Sequence, residues 1–94
     1  MNYVYLVKYC TGAYDDYVSR PVQAFLEWPR AIELANVLNN RLKEEHLHRD
    51  GPDFIMNYDK ADRLMREFEQ TYNLTASISY TGANFIVTAV PLGG

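Results

Sequence analysis

Apolar residues occupy both faces of the first predicted strand, which covers residues 3–10. Successive side chains of a strand point to opposite sides of the sheet, so each face is given by alternate positions. One face carries Val4, Leu6, Lys8 and Cys10, and the other carries Tyr3, Tyr5, Val7 and Tyr9. One layer of helices covers only one face of a sheet, and this chain is too short to form a second layer. The remaining face is therefore left for a binding partner or for solvent.

Two-residue alternation predicts three further strands. An extended segment at about residues 14–25 contains Pro21, which cannot donate a ladder hydrogen bond, so we expect an edge strand or a strand with a break. Residues 74–80 alternate between apolar and small polar side chains, and residues 85–90 follow across a turn at Gly82. These last two segments predict a hairpin.

Apolar residues at three- and four-residue spacing predict two amphipathic helices between the second and third strands. Pro29 marks the first turn of the first helix, where a missing N–H costs no hydrogen bond. Asn57 or Asp59 caps the second helix, and Asn73 ends it. The element order is ββααββ, which predicts an α+β fold: a four-stranded antiparallel sheet with two helices packed on one face.

Length and composition indicate a soluble single domain, residues 1–94. The 94 residues carry a net charge of −3, with 12 acidic against 9 basic side chains. This balance gives no attraction to a phosphate backbone, so nucleic acid is an unfavourable partner. Cys10 is the single cysteine, which is typical of a reducing compartment, and the sequence shows neither a signal peptide nor a membrane-spanning apolar run. We therefore expect a cytoplasmic protein without membrane partners.

The tyrosine-bearing face of the first strand is the predicted binding surface. Tyrosine combines a large apolar ring with a polar tip, which makes it common at protein interfaces. An outward tyrosine face would bind another protein, or a second copy of the chain to give a homodimer, and the acidic loop after the strand would steer a basic partner. The alternative is that the tyrosines point inward and that Lys8 marks the solvent face. The predicted protein-binding residues are Tyr3, Tyr5, Tyr9, Tyr14, Asp15, Asp16 and Tyr17.

Other chemistries find weaker support in the sequence. Aromatic rings on a sheet also bind single-stranded RNA or DNA, but such sites need basic residues around the rings, and only Lys8 is certain to be near. His46 and His48 share a face only in a strand, whereas their surroundings indicate a fraying helix end, so no metal site is predicted. Cys10 has no histidine or basic cluster near it in the chain, so we expect neither an enzyme nor a bound cofactor.

The chain ends in Val90-Pro91-Leu92-Gly93-Gly94, directly after a predicted strand. This end resembles the diglycine tail of ubiquitin-like and sulfur-carrier proteins. The resemblance implies a terminal carboxylate that a partner enzyme adenylates, and a β-grasp fold with one main helix. The second predicted helix departs from that fold.

The N-terminal half resembles the opening of small bacteriophage accessory proteins. The resemblance is carried by Tyr5-Leu6-Val7, Gly12-Ala13-Tyr14-Asp15-Asp16-Tyr17, Phe25 and a helix ending in Val37-Leu38-Asn39. It implies a protein that acts in a bacterial cytoplasm, as an inhibitor of a host or defence protein in the manner of anti-CRISPR proteins. The function predicted from the sequence is therefore a small non-enzymatic protein-binding module.

Overall fold

The fold consists of one three-stranded sheet and two helices. The computed structural model describes residues 2–12, 17–49 and 55–92. The elements are β1 (Tyr3–Thr11), β2 (Val18–Phe25), α1 (Trp28–Glu44), α2 (Tyr58–Tyr72) and β3 (Ala83–Pro91). The strands are antiparallel and lie in the order β2-β1-β3. The α+β class is confirmed, and the prediction of a four-stranded sheet was wrong.

Both helices begin where the sequence predicts. Pro29 lies in the first turn of α1, and the side chain of Asn57 caps α2 by accepting a hydrogen bond from the N–H of Lys60 at 3.1 Å. Asn73 ends α2 in the left-handed conformation, with φ 54°, and its N–H donates to the last carbonyls of the helix. The buried stripe of α1 is Ala31, Ala35, Leu38 and Leu42, and that of α2 is Ala61, Leu64 and Phe68.

The core lies between the helices and one face of the sheet. Val7 and Tyr9 of β1 are paired with Val87 and Phe85 of β3, and these four side chains join the core cluster. The ring of Phe68 on α2 meets the ring of Phe85 edge-on, with 5.6 Å between ring centroids. This face of the sheet is therefore the one that the helices cover.

The tyrosine face of β1 points toward the helices, not away from them as predicted. Tyr9 is only 8% exposed, and Tyr5 packs against the core cluster. Lys8 lies on the opposite, uncovered face. Burial of an unpaired ammonium group costs several kcal/mol, which outweighs what its apolar neighbours would gain by turning inward. The prediction that Tyr3, Tyr5 and Tyr9 line the outer face was therefore wrong.

Strand β2 lies at one edge of the sheet and contains an irregularity, as Pro21 predicted. The pairing of β1 with β2 shifts register between Val7 and Lys8, so that Gln23 and Pro21 are successive partners and Val22 is left over. A proline cannot donate to the ladder, so a bulge at an edge is one of the few positions that accept it.

An extended segment at residues 74–78 joins no sheet, although a strand was predicted there. Its alternation is nevertheless real, because every second side chain enters the core. These buried side chains are Leu74, Ala76 and Ile78. Ser79 fixes the end of the segment: its N–H donates to Thr11 Oγ1 at 2.9 Å, and its Oγ accepts from the N–H of Gly12 at 2.9 Å. The alternation predicted burial correctly and ladder pairing wrongly.

The outer edge of β3 explains why the predicted hairpin does not form. The N–H of Ala83 donates to the C=O of Leu47 at 3.0 Å, and the C=O of Ala83 accepts from the N–H of Arg49 at 2.8 Å. Two residues further along β3, the N–H and the C=O of Phe85 are both hydrogen-bonded to the side-chain amide of Asn39. The backbone groups that a hairpin partner would need at this end of β3 are therefore already occupied.

Candidate protein-binding site

A groove of about 490 Å³ opens at the end of the sheet where β1 begins. It brings together residues from three separate parts of the chain: the start of β1, the residue after β2 and the residue after β3. Its lining residues are Asn2, Tyr3, Tyr5, Leu26 and Leu92. We refer to these five residues together with Trp28 as the aromatic groove. None of the described residues that line it is Lys, Arg, Asp or Glu.

Three aromatic rings form one continuous cluster beside the groove. The rings of Tyr3 and Tyr5 are stacked, with centroids 6.5 Å apart and an interplanar angle of 27°. The ring of Trp28 meets Tyr5 edge-on at 5.4 Å and 75°. Trp28 is the first residue of α1, so the helix layer ends at Tyr5 and leaves the start of β1 uncovered. The half-buried Tyr5 thus connects the core to the groove.

Leucine side chains at the rim of the groove are unusually open to solvent. Leu26 is 75% exposed, and Leu92 is half exposed. Leu26 lies in the two-residue connection between β2 and α1, which is too short to fold the side chain back into the core. The N–H of Leu92 donates to the C=O of Asn2 at 2.9 Å, and this bond holds Leu92 beside the start of β1. An isolated exposed leucine is common, whereas a cluster of exposed apolar side chains marks an interaction site.

The outer sheet face adjoins the aromatic groove. Val4 and Val90 are paired, and their side chains lie on this face. The next pair along the strands is Tyr3 with Pro91, whose side chains lie on the opposite face. Ile86 and Val90 are both more than one third exposed. The outer sheet face comprises Val4, Leu6, Lys8, Ile86, Thr88 and Val90 in β1 and β3. It is apolar apart from Lys8 and Thr88.

The opposite end of the outer sheet face is covered by Tyr17. Cys10 lies on this face yet is buried, with its Sγ 3.6 Å from Ser19 Oγ. A hydrogen bond with the Cys10 thiol raises the pKa of the half-exposed Tyr17, whose ring also carries the guanidinium of Arg49 at 5.2 Å from its centroid. Cys10 is therefore a covered thiol in this structure.

The residues predicted to form one binding surface are separated in the structure. Tyr3 and Tyr5 line the aromatic groove, Tyr9 is in the core, and Tyr17 covers Cys10 at the far end of the sheet. The predicted contacts Tyr14, Asp15 and Asp16 lie outside the described residues, as do Gly93 and Gly94 of the tail.

Sequence reasoning missed four residues of the aromatic groove, namely Leu26, Asn2, Trp28 and Leu92. One signal was available for the first of them. Leu26 is an apolar residue between a strand and a helix, and it belongs to the apolar pattern of neither. Trp28 directly precedes the proline that marks the start of the first helix, and Leu92 belongs to the tail, so neither stands out in the sequence as a contact residue.

Backbone conformation and pairing account for the positions of the two histidines. His46 follows α1 with a positive φ of 59°, and His48 forms a parallel bridge with Ala83. Within residues 2–12, 17–49 and 55–92, no group of three or more His, Cys, Asp or Glu side chains is placed to hold a metal ion. Nor does this part of the chain contain a helix of the length and apolarity needed to cross a membrane.

Comparison of the chain with protein-family models, with curated proteins and with solved structures finds no match.

Proposed function

We propose that the protein is a non-enzymatic protein-binding module and that the aromatic groove is its contact surface. The observation that carries this proposal is the exposure of Leu26, Leu92 and Trp28 around a groove that two tyrosines line. Tryptophan and tyrosine side chains at the centre of a contact surface supply much of the binding energy in protein complexes.

The exposed apolar rim supplies a driving force for association. Complete burial of a leucine or similar side chain is worth about 1.5–3 kcal/mol. Leu26 is 75% exposed, so a partner that covers it recovers about three quarters of this amount. Leu92 and Trp28 add further area on either side of the same groove.

The aromatic cluster is held in place before any partner arrives. Tyr5 is wedged between Tyr3 and Trp28, and Trp28 is anchored in the first turn of α1. Side chains that are already ordered lose little conformational entropy on binding, and this favours affinity. The groove is therefore suited to a preformed contact.

The chemistry of the lining indicates which partner fits. No charged side chain of the described residues lines the groove, whereas nucleic-acid platforms surround their rings with Lys and Arg. The tyrosine hydroxyls and the Asn2 amide provide hydrogen bonds at the edge of an apolar surface. We infer that the partner inserts an apolar or aromatic side chain, with backbone groups of the partner meeting the polar rim.

A capture experiment with matched variants tests the proposal. Wild type, Leu26→Ser, Tyr3→Ser and the control Tyr58→Ser are immobilised and exposed to a bacterial lysate, because the resemblance to phage accessory proteins implies a bacterial partner. Tyr58 is 68% exposed at the start of α2, away from the groove, so the control removes a comparable surface ring. Bound proteins are quantified by mass spectrometry, and the leading candidate is purified for calorimetry.

The expected result is loss of the same captured protein with both groove variants and its retention with Tyr58→Ser. Affinity for the purified partner should fall at least tenfold in Leu26→Ser, which corresponds to about 1.4 kcal/mol. All variants should melt within a few degrees of wild type, because both substituted groove residues are exposed. Trp28 is the single tryptophan of the chain and should report binding by its fluorescence. A partner that binds the groove variants as tightly as wild type would refute the proposal.

A further inference from the structure

The outer edge of β3 is partly filled and partly open. In an antiparallel ladder, alternate residues direct both backbone groups to the same side. The groups of Ala83 and Phe85 point away from β1, because they bond Leu47, Arg49 and the Asn39 side chain. The pairing of β1 with β3 shows no shift in register, so the next outward residues are Val87 and Ala89.

The open part of this edge is bounded on both sides. No hydrogen bond to the outward N–H and C=O groups of Val87 and Ala89 comes from the part of the chain that the structure describes. On one side the edge is closed at Phe85 by Asn39, and on the other Pro91 has no N–H to offer. The open groups are therefore symmetric about Thr88.

We propose that a second copy of the chain pairs with this edge, β3 against β3, with Thr88 on the two-fold axis. In that register Val87 is opposite Ala89 of the partner subunit, and Ala89 is opposite Val87 of the partner subunit. Both residues of each pair exchange an N–H and a C=O, so each outward N–H and C=O of Val87 and Ala89 finds a bond. A two-fold contact must be self-complementary, and this edge satisfies that requirement. The inference is independent of the aromatic groove.

The side chains on the outer sheet face also match in this register. Ile86 would lie opposite Val90 of the partner subunit, and Thr88 opposite Thr88 of the partner subunit. Cross-strand pairs of β-branched residues stabilise sheets by roughly 0.2–1 kcal/mol each. Ile86 and Val90 are 37% and 36% exposed in the single chain, so each has surface left to bury.

The helix layer leaves room for the second copy. Helix α1 crosses the sheet diagonally: Asn39 reaches the outer edge of β3, whereas Trp28 contacts Tyr5 on β1 and Arg30 contacts Phe25 on β2. The helix thus moves away from the β3 edge toward the end that holds Ala89.

Charge does not oppose this arrangement. The two copies of Lys8, which is on β1, would be separated by three strand spacings, or about 14 Å. That distance exceeds the Debye length of about 8 Å at physiological ionic strength, so their repulsion is largely screened. A face-to-face contact of two outer sheet faces would instead bring these ammonium groups together, and for that reason we favour the edge.

Sedimentation velocity on the purified full chain tests the proposal, over concentrations from about 5 µM to about 1 mM. The edge is short, so we expect a weak dimer with a dissociation constant on the order of 10–100 µM. Thr88→Lys and Thr88→Glu each place like charges opposite one another and should each raise that constant at least tenfold. An equimolar mixture of the two variants should restore the dimer, as a heterodimer.

Matched variants separate this edge from other contacts. Thr71→Lys, on the exposed face of α2, should dimerise like wild type. Ala89→Pro removes only an outward N–H, so it should keep the fold, measured by circular dichroism, and abolish the dimer. A wild-type chain that remains monomeric throughout the concentration range would overturn the proposal. So would a dimer that persists in Ala89→Pro, or a mixture of the Thr88 variants that stays monomeric.

Discussion

Substitution of Asn39 tests how the edge of the sheet is closed. The N–H of Phe85 donates to Asn39 Oδ1 at 2.7 Å, and Asn39 Nδ2 donates to the C=O of Phe85 at 2.9 Å. One side-chain amide thus occupies the two positions that a neighbouring strand would fill. We expect Asn39→Ala to destabilise the protein, because both backbone groups of Phe85 lose their partner at a residue that is only 3% exposed.

The size of the effect follows from the two bonds and from the helix. Each hydrogen bond contributes about 1 kcal/mol net, and an unpaired buried group adds about 1 kcal/mol or more to the loss. Alanine is the better helix former by roughly 0.5 kcal/mol, which offsets part of this. We expect a net loss of about 2–3 kcal/mol in the free energy of unfolding. For a domain of this length that corresponds to a fall in Tm of roughly 10–20 °C.

Asn39→Asp separates the acceptor role from the donor role. A carboxylate can accept from the N–H of Phe85 but cannot donate to its C=O, and the two oxygens repel each other. Protonation of the substituted carboxyl group restores a donor to the C=O of Phe85. We therefore expect the pKa of this carboxyl group to be higher in the folded state than in the unfolded state. Stability that depends on the protonated form is present below the unfolded pKa and is lost as pH rises through the raised folded value. Relative to wild type, this variant should therefore be more stable at acid pH than at neutral pH.

Urea unfolding followed by circular dichroism between about pH 3 and pH 8 measures both variants. Asn36→Ala and Asn40→Ala are matched controls, because both residues are exposed on the same helix and neither side chain is hydrogen-bonded to another of the described residues. The controls should be as stable as wild type or slightly more stable. If Asn39→Ala unfolds at the same urea concentration as these controls, the Asn39 amide does not close the edge of β3 and the reasoning is refuted.

Two further predictions concern contacts of α2. A two-pronged ion pair joins Arg41 Nε and Nη2 to Glu67 at 2.7 Å for each bond and lowers the pKa of Glu67 from its ordinary 4.5. The pair therefore stabilises the fold above about pH 4.5, and this contribution is lost as pH falls through the lowered folded value. Both side chains are about one third exposed. Glu67→Gln should therefore lower the free energy of unfolding by about 0.5–1 kcal/mol at pH 7 and leave it unchanged near pH 2. The exposed control Glu69→Gln should not show this loss at pH 7. Phe68→Ala should cost about 3–5 kcal/mol, because the ring is fully buried against Phe85; a loss below about 1 kcal/mol in thermal melts would show that the core is packed differently.

Local signals in the sequence determined where most elements begin and end. Pro29 and Asn57 start the helices, Asn73 ends the second one, and Pro21 confines β2 to an edge. These signals act through the backbone of a few neighbouring residues, so they do not depend on the rest of the fold. The alternation at residues 74–78 likewise predicted which side chains are buried, because burial requires only that they face the core.

The tertiary structure decided the orientation of β1 and the number of strands. Both faces of β1 are apolar, so its pattern alone did not settle which one the helices cover. The desolvation of Lys8 explains the outcome. At the edge of β3, the place of the fourth strand is taken by the backbone of Leu47 and Arg49 and by the side chain of Asn39. These residues are remote in sequence from Ala83 and Phe85, so no local pattern reveals the contacts.

The candidate site was likewise predicted in part from the sequence and decided in part by the tertiary structure. Tyr3 and Tyr5 could be singled out from the sequence, but Leu26 and Leu92 joined them only when the ends of three strands met. Local periodicity determined what this chain forms, because helices and strands depend on near neighbours. Only the packed structure decided which of its surfaces remain open, because exposure depends on every element that could have covered them.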